Sequence, residues 1–261
     1  MSGLASYVRP HSSVFTRAAR EGLRDPGPSM LLPALPAVLQ IIAFTALFGS
    51  LSSVIDFPTG SFEEYFIPGA VMFVGVAGGG FSSGQVAADI SAGFIDRLRL
   101  QTSNVSSLLL GRFGFEAVRV LPGAALVVGV GLLFGGTASN GIAGVVAIVV
   151  LTMLTSAAWS GIYFVVSILS GNPQTPLNLQ PLGIIIGFLS SAFITIESMP
   201  SWAEGVSKYN PFTVIVDGGR EAMIGELASS QVANAFGVAA LGCVISLLAS
   251  TFVLRQKLSK G

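Results

Sequence analysis

Arg112, Glu116 and Arg119 stand four and three residues apart, so on a helix they form one charge-paired strip. Such a strip, at the end of an apolar run, braces a helix or carries a gating movement. Its chemistry is ion pairing, with no bond made or broken. A second charged group, Asp89, Asp96, Arg97 and Arg99, lies between two oily runs in the stretch DISAGFIDRLRLQTSN. Within it Ile90, Phe94 and Leu98 recur every fourth residue and draw a narrow apolar stripe, with Ile95 beside it. Asp89 at the start and the arginines toward the end complement the dipole of a short helix. A third group, Asp217, Arg220 and Glu221, follows Asn210-Pro211, a good helix start, and precedes the stop signal Gly225.

Catalysis finds little support. The chain lacks a GxxxxGK[ST] phosphate loop, and GGGFSSG at Gly78–Gly84 has the wrong glycine spacing for a dinucleotide fingerprint. The single histidine, His11, sits in the N-terminal stretch, poorly placed to serve a buried serine as base. The single Cys243 lies in an apolar run and reads as a small core residue. No cluster of His, Cys, Asp or Glu has metal-ligand spacing. No catalytic residue, metal or cofactor of its own is therefore expected.

The elements that hold these residues are set by composition. Of 261 residues, 52% are hydrophobic and 10% charged, against about 25% charged in a soluble domain. Mean hydropathy is +0.77. Most of the surface is expected to meet lipid, and zero net charge gives no field for nucleic acid. Six runs approach the about 20 apolar residues that a helical crossing needs. They cover about Met30–Phe48, Phe66–Ala88, Val118–Phe134, Ile142–Leu169, Leu182–Ile196 and Val232–Leu254. The third can begin earlier, near Ser106, and the fifth is short enough to suggest a tilt, a kink or a re-entrant continuation. No signal peptide pattern precedes the first run, which is expected to be kept as a span. With both termini inside, eleven of the thirteen lysines and arginines face the cytoplasm. The glycine pairs Gly75/Gly79, Gly80/Gly84 and Gly183/Gly187 suit close helix packing, and Gly78-Gly79-Gly80 could also soften the second span.

Three further pieces read as structured. Ser13–Asp25 puts Phe15, Ala18, Ala19 and Leu23 on one side and Arg17, Arg20 and Arg24 on the other, the pattern of an interfacial helix. The stretch from Asp89 to about Thr102 reads as a short cytoplasmic helix. The helix from Asn210 to Gly225 is oily enough to dip into the outer leaflet, where its backbone must be covered by protein or line a cavity. The expected organisation is thus an all-α integral membrane protein. Residues 1–29 form a cytoplasmic N-terminal segment, 30–254 a six-span domain with an outer segment at about 197–231, and 255–261 a cytoplasmic tail.

Several stretches, in order, resemble the membrane subunits of ABC-2-type exporters, most of all the daunorubicin-resistance type. A Y-x-x-P-G pattern enters the second span as Tyr65-Phe66-Ile67-Pro68-Gly69. The acidic cytoplasmic stretch of the family is matched in character by Asp89, Gly93, Asp96, Arg97, Leu98, Gln101 and Thr102, with Ser103 where a proline is usual. Pro200-Ser201-Trp202 and then Asn210-Pro211, Asp217, Arg220 and Gly225 match the closing motifs. The resemblance spans about residues 12–258. It implies docking on two ABC ATPase subunits that hold ATP and magnesium, and pairing with a second permease, identical or homologous. It also implies a coupling helix at Asp89–Thr102, an outer re-entrant segment that includes Pro200, Trp202, Asn210, Pro211, Asp217 and Arg220, and a place in the cell membrane. The expected function is ATP-driven export of an amphiphilic drug, lipid or lipid-linked glycan, coupled through Asp89, Ile90, Phe94, Asp96, Arg97, Leu98 and Arg99. The alternatives are a channel or secondary carrier without an ATPase, which would need ionisable groups in mid-membrane, or a structural assembly protein.

Overall fold

The computed structural model describes residues 15–49, 57–78, 83–91 and 106–260. Every regular element among them is helical. Helix α1 covers residues 15–24. Pro26, Pro28, Pro33 and Pro36 then deny the ladder its donors, and the chain winds through a π turn at Gly27–Leu31 and a 3-10 turn at Leu32–Ala34. It continues as α2 (Leu35–Phe48), α3 (Phe62–Gly78), α4 (Ser83–Ser91), α5 (Ser106–Arg119), α6 (Leu121–Leu133) and α7 (Gly141–Ser170). The remainder is α8 (Gln174–Leu177), α9 (Gln180–Phe188), α10 (Ser201–Tyr209), α11 (Pro211–Ile224) and α12 (Ser230–Lys260).

Five stretches are long and apolar enough to cross a membrane: Ser29–Phe48, Phe62–Ala88, Leu109–Leu133, Gly141–Ser170 and Ser230–Ser259. The third begins well before Val118, and Pro122 separates its two helices, α5 and α6. The run Leu182–Ile196 is not a continuous helix. It is helical over Gln180–Phe188 and then turns, so hydropathy alone overstated its regular length.

Helix α3 is the centre of the bundle. Its Tyr65, Phe66, Ile67, Met72 and Phe73 are buried, and α2, α6, α7, α9 and α11 pack around it. Small residues permit the closest approaches. A β-carbon on Gly75 would stand 2.8 Å from the Thr152 carbonyl oxygen of α7. Gly183 and Gly187 admit the side chains of Val76, Trp159 and Phe73. A smaller cluster, including Val86, Leu109, Phe113, Phe164, Ile168 and Leu254, joins α4, α5, α7 and α12.

The two ends of the bundle differ in charge. At one end Arg112 and Arg119 meet α3 and α4, and the Lys257 ammonium donates to the Ile168 carbonyl. At the other, Thr137 donates to Glu64 at 2.7 Å and Asn140 to the carbonyls of Ala222 and Gly225 at 3.0 and 2.9 Å. We call these the basic and acidic ends.

Candidate functional site

At the basic end the strip Arg112–Glu116–Arg119 is buried, with Glu116 and Arg119 fully so. Arg119 and Glu116 pair at 2.7 Å across one helical turn. The Arg119 guanidinium also donates to the carbonyls of Ser29, at the entry to the first span, and Gly78, at the end of α3. Ser156 of α7 donates to the Glu116 carbonyl at 3.3 Å. Arg112 reaches Gln85 of α4 at 3.1 Å. One charge cluster therefore ties α5 to four other parts of the chain. A buried charge is tolerable only when paired and hydrogen-bonded in this way. The ion pair follows from sequence spacing, whereas Ser29, Gly78, Gln85 and Ser156 are far along the chain and had no local signal.

The expected coupling stretch begins within α4. Asp89 and Ile90 fall in the last residues of α4, while Phe94, Asp96, Arg97, Leu98 and Arg99 lie outside the described residues.

At the acidic end, Asp217 and Arg220 of α11 form a second polar knot. Arg220 pairs with Asp217 at 2.6 Å and donates to the Tyr65 and Ser191 carbonyls at 3.0 and 2.9 Å. Its guanidinium carbon lies 3.8 Å from the centre of the Tyr65 ring. The Ser191 hydroxyl donates to Asp217 at 2.6 Å. Pro68 offers no donor to the α3 ladder, and the Tyr65 carbonyl that Arg220 takes lies in the turn before it. These groups line a cavity of about 680 Å³, with Glu64, Glu197 and Glu221 on its wall. Since Arg220 is already engaged, the carboxylates leave the cavity with a negative potential.

Below this cavity the chain makes a helical hairpin. Helix α10 runs inward, Asn210 turns the chain, and α11 runs back. Asn210 accepts from the Phe212 N–H at 2.9 Å, capping α11. Its amide donates to the carbonyls of Ile186 and Leu189 at 2.9 and 2.6 Å. Those carbonyls belong to the end of α9, where the helix has no further donors of its own. Gly187 in the same turn packs on Phe73, more than half way along α3 from the acidic end, so the hairpin tip lies deep. Pro200 precedes α10 and Pro211 opens α11, while Trp202 is 67% exposed and lies on the bundle surface. An apolar cleft of about 430 Å³ borders the lower part of α11, lined by Trp159, Ile162, Ile186, Phe212, Ile215 and Ile245 among others.

Among the described residues, no three His, Cys, Asp or Glu side chains are grouped to hold a metal ion. The Cys243 thiol is half-buried and donates to the Leu154 carbonyl at 3.1 Å.

The fold and its polar knots define a multi-pass helical membrane protein in which buried charge joins helices at both ends. A family model described as ABC-2 type transporter matches residues 12–224, and the chain belongs to that family. It is similar to the daunorubicin resistance ABC transporter permease protein DrrB1 of Streptomyces coeruleorubidus, with 25% identity over 196 residues, covering 73% of this chain and 67% of the relative. No solved structure matches. The chain is thus a membrane subunit of an ABC exporter, and members of its family work with ATPase partners and lack an ATP-binding motif of their own.

Proposed function

We propose that this chain is the export path, or half of one, for an amphiphilic substrate, driven by two ATPase subunits that bind ATP and magnesium. The family match over residues 12–224 carries this reading. In it the chain crosses the cell membrane six times, with both termini and the basic end in the cytoplasm. The fifth crossing is made by α9 and the turns after it, and α10–α11 is an outer re-entrant hairpin. A second permease, identical or homologous, completes the path.

Helix α11 supports an amphiphilic substrate. Phe212 and Ile215 line the apolar cleft, whereas Asp217, Arg220 and Glu221 line the polar cavity. A molecule with an apolar body and a polar head meets both kinds of surface along one helix. The negative cavity favours a cationic head over an anionic one, and the relative's name points to an antibiotic. Work enters through the Asp89–Thr102 stretch and reaches the spans through Arg112, Glu116 and Arg119, which hold α4, α3 and the first span together.

Two measurements test this. The tagged chain should copurify with a P-loop ATPase in stoichiometric amount, and inverted vesicles should take up a cationic amphiphile only with ATP. Uptake without ATP and without an ATPase partner would assign the chain to the carriers instead.

A further inference from the structure

We infer that the exposed face of α1 docks on the phosphates of anionic phospholipids, and so ties the Arg119 cluster to the charge of the membrane surface. At 100° per residue Phe15, Ala18 and Gly22 fall within about 60° of each other. That arc faces the protein. Ala18 and Gly22 are buried, and Phe15 meets Phe115 edge-on at 6.5 Å between ring centres. Leu23 does not belong to this face, contrary to the sequence reading. It is 62% exposed, because Gly22 rather than Leu23 provides the flat contact against the Phe115 ring.

Leu23 and Thr16 form one flank of the exposed surface, and Arg20, Arg24 and Arg17 continue it around the helix. Arg17 pairs with Glu21 at 2.9 Å. Arg20 and Arg24 have no acidic partner among the described residues, so the helix keeps unneutralised positive charge beside an exposed leucine. That pairing of groups suits the border of a bilayer, where the apolar chain enters hydrocarbon and the guanidinium stays with the headgroups.

The height of the helix agrees. The Ser29 hydroxyl donates to the Gly22 carbonyl at 2.6 Å, and Ser29 is the first residue of the first apolar run. Leu31, Leu32 and Leu35 continue the exposed apolar surface from there. The C-terminal half of α1 therefore sits where hydrocarbon gives way to phosphate. Arg119 holds the Ser29 carbonyl, so a lipid that draws on α1 acts one residue from the buried charge cluster. This inference needs the membrane setting and does not depend on the export reading.

The test uses the full chain with Cys243→Ser and Leu23→Cys, carrying an environment-sensitive fluorophore at residue 23. Vesicles contain phosphatidylcholine alone or with phosphatidylglycerol, each with and without a lipid-borne quencher. Quenching should occur in both and rise about twofold with the anionic lipid, as expected of juxtamembrane basic residues. Arg20→Gln with Arg24→Gln should abolish the rise while leaving the basal quenching. An unquenched probe, or a double variant that keeps the full rise, overturns the inference. So does a probe that becomes shielded from lipid when the partner ATPase is added, which would assign the face to that protein.

Discussion

Single residues at the second span show how a short motif becomes a joint. Tyr65 supplies both a ring beneath Arg220 and a carbonyl that it holds, and Gly69 clears space for the chain after α9. A β-carbon on Gly69 would lie 2.8 Å from the Ala192 α-carbon, backbone that cannot rotate away. Gly69→Ala should therefore cost about 1–3 kcal/mol of stability, seen as a lower thermal midpoint in detergent, and should reduce export further by shifting Ser191 from Asp217. The buried pair at the basic end makes a different prediction. Arg119→Ala takes the guanidinium from the buried Glu116 carboxylate and from the carbonyls of Ser29 and Gly78, and should lower the thermal midpoint. Arg119→Met combined with Glu116→Met removes both charges and should recover most of the midpoint. If that double variant also exports normally, the pair has no part in coupling. The sequence revealed this pair by its spacing and hid Ser29, Gly78 and Gln85, since contacts between distant segments leave no local period.

Among the elements, the α10–α11 hairpin was legible in part, and the shortness of the fifth run pointed to a kink or re-entrant piece without giving the place where α9 ends. Asn210-Pro211 announces its helix because capping is a local event, and the cap forms. The end of α9 is not local. Its last carbonyls find donors in the side chains of Ser190, Ser207 and Asn210, the last two eighteen or more residues on, so hydropathy runs through the break without marking where it falls. Backbone at this depth must be satisfied by protein, and one side-chain amide answers for both elements. Asn210→Ala should cost about 1–3 kcal/mol through the Ile186 carbonyl it orphans and the cap it removes from α11. Asn210→Asp keeps the cap acceptor but places a charge against two carbonyls, and should be at least as damaging. A thermal midpoint ranking of wild type above both variants checks the point, and an aspartate variant as stable as wild type would refute it. The cleft beside α11 gives a functional counterpart. Ile215→Trp should fill it and lower ATP-driven uptake several-fold while leaving ATPase copurification intact.

For the whole molecule, the separation of charge is the feature that sequence and fold express together. Apolar runs and basic residues are additive properties of the chain, and five of the six runs counted in the sequence overlap stretches that are long and apolar enough to cross a membrane. Packing order was not countable. Nothing in composition places α3 at the centre, since that position follows from glycines meeting particular backbones and rings. The same charge separation fixes an expected orientation. The basic end carries Arg17, Arg20, Arg24, Arg112, Arg119, Arg255 and Lys257 against Glu21, Asp25 and Glu116, and the acidic end Glu63, Glu64, Glu197, Asp217, Glu221 and Glu226 against Arg220. Under the positive-inside rule the first of these faces the cytoplasm. In a Cys243→Ser background, a cysteine at Thr137 or Ala228 should react with a membrane-impermeant maleimide in intact cells. One at Asn172, beside Lys257 and the α4 contact, should react only after the cells are opened. All of these positions sit on connections between helices, so none of the substitutions disturbs the core. Labelling of Asn172→Cys in intact cells, with Thr137→Cys protected, would invert the molecule and place the acidic cavity on the side where ATP is held.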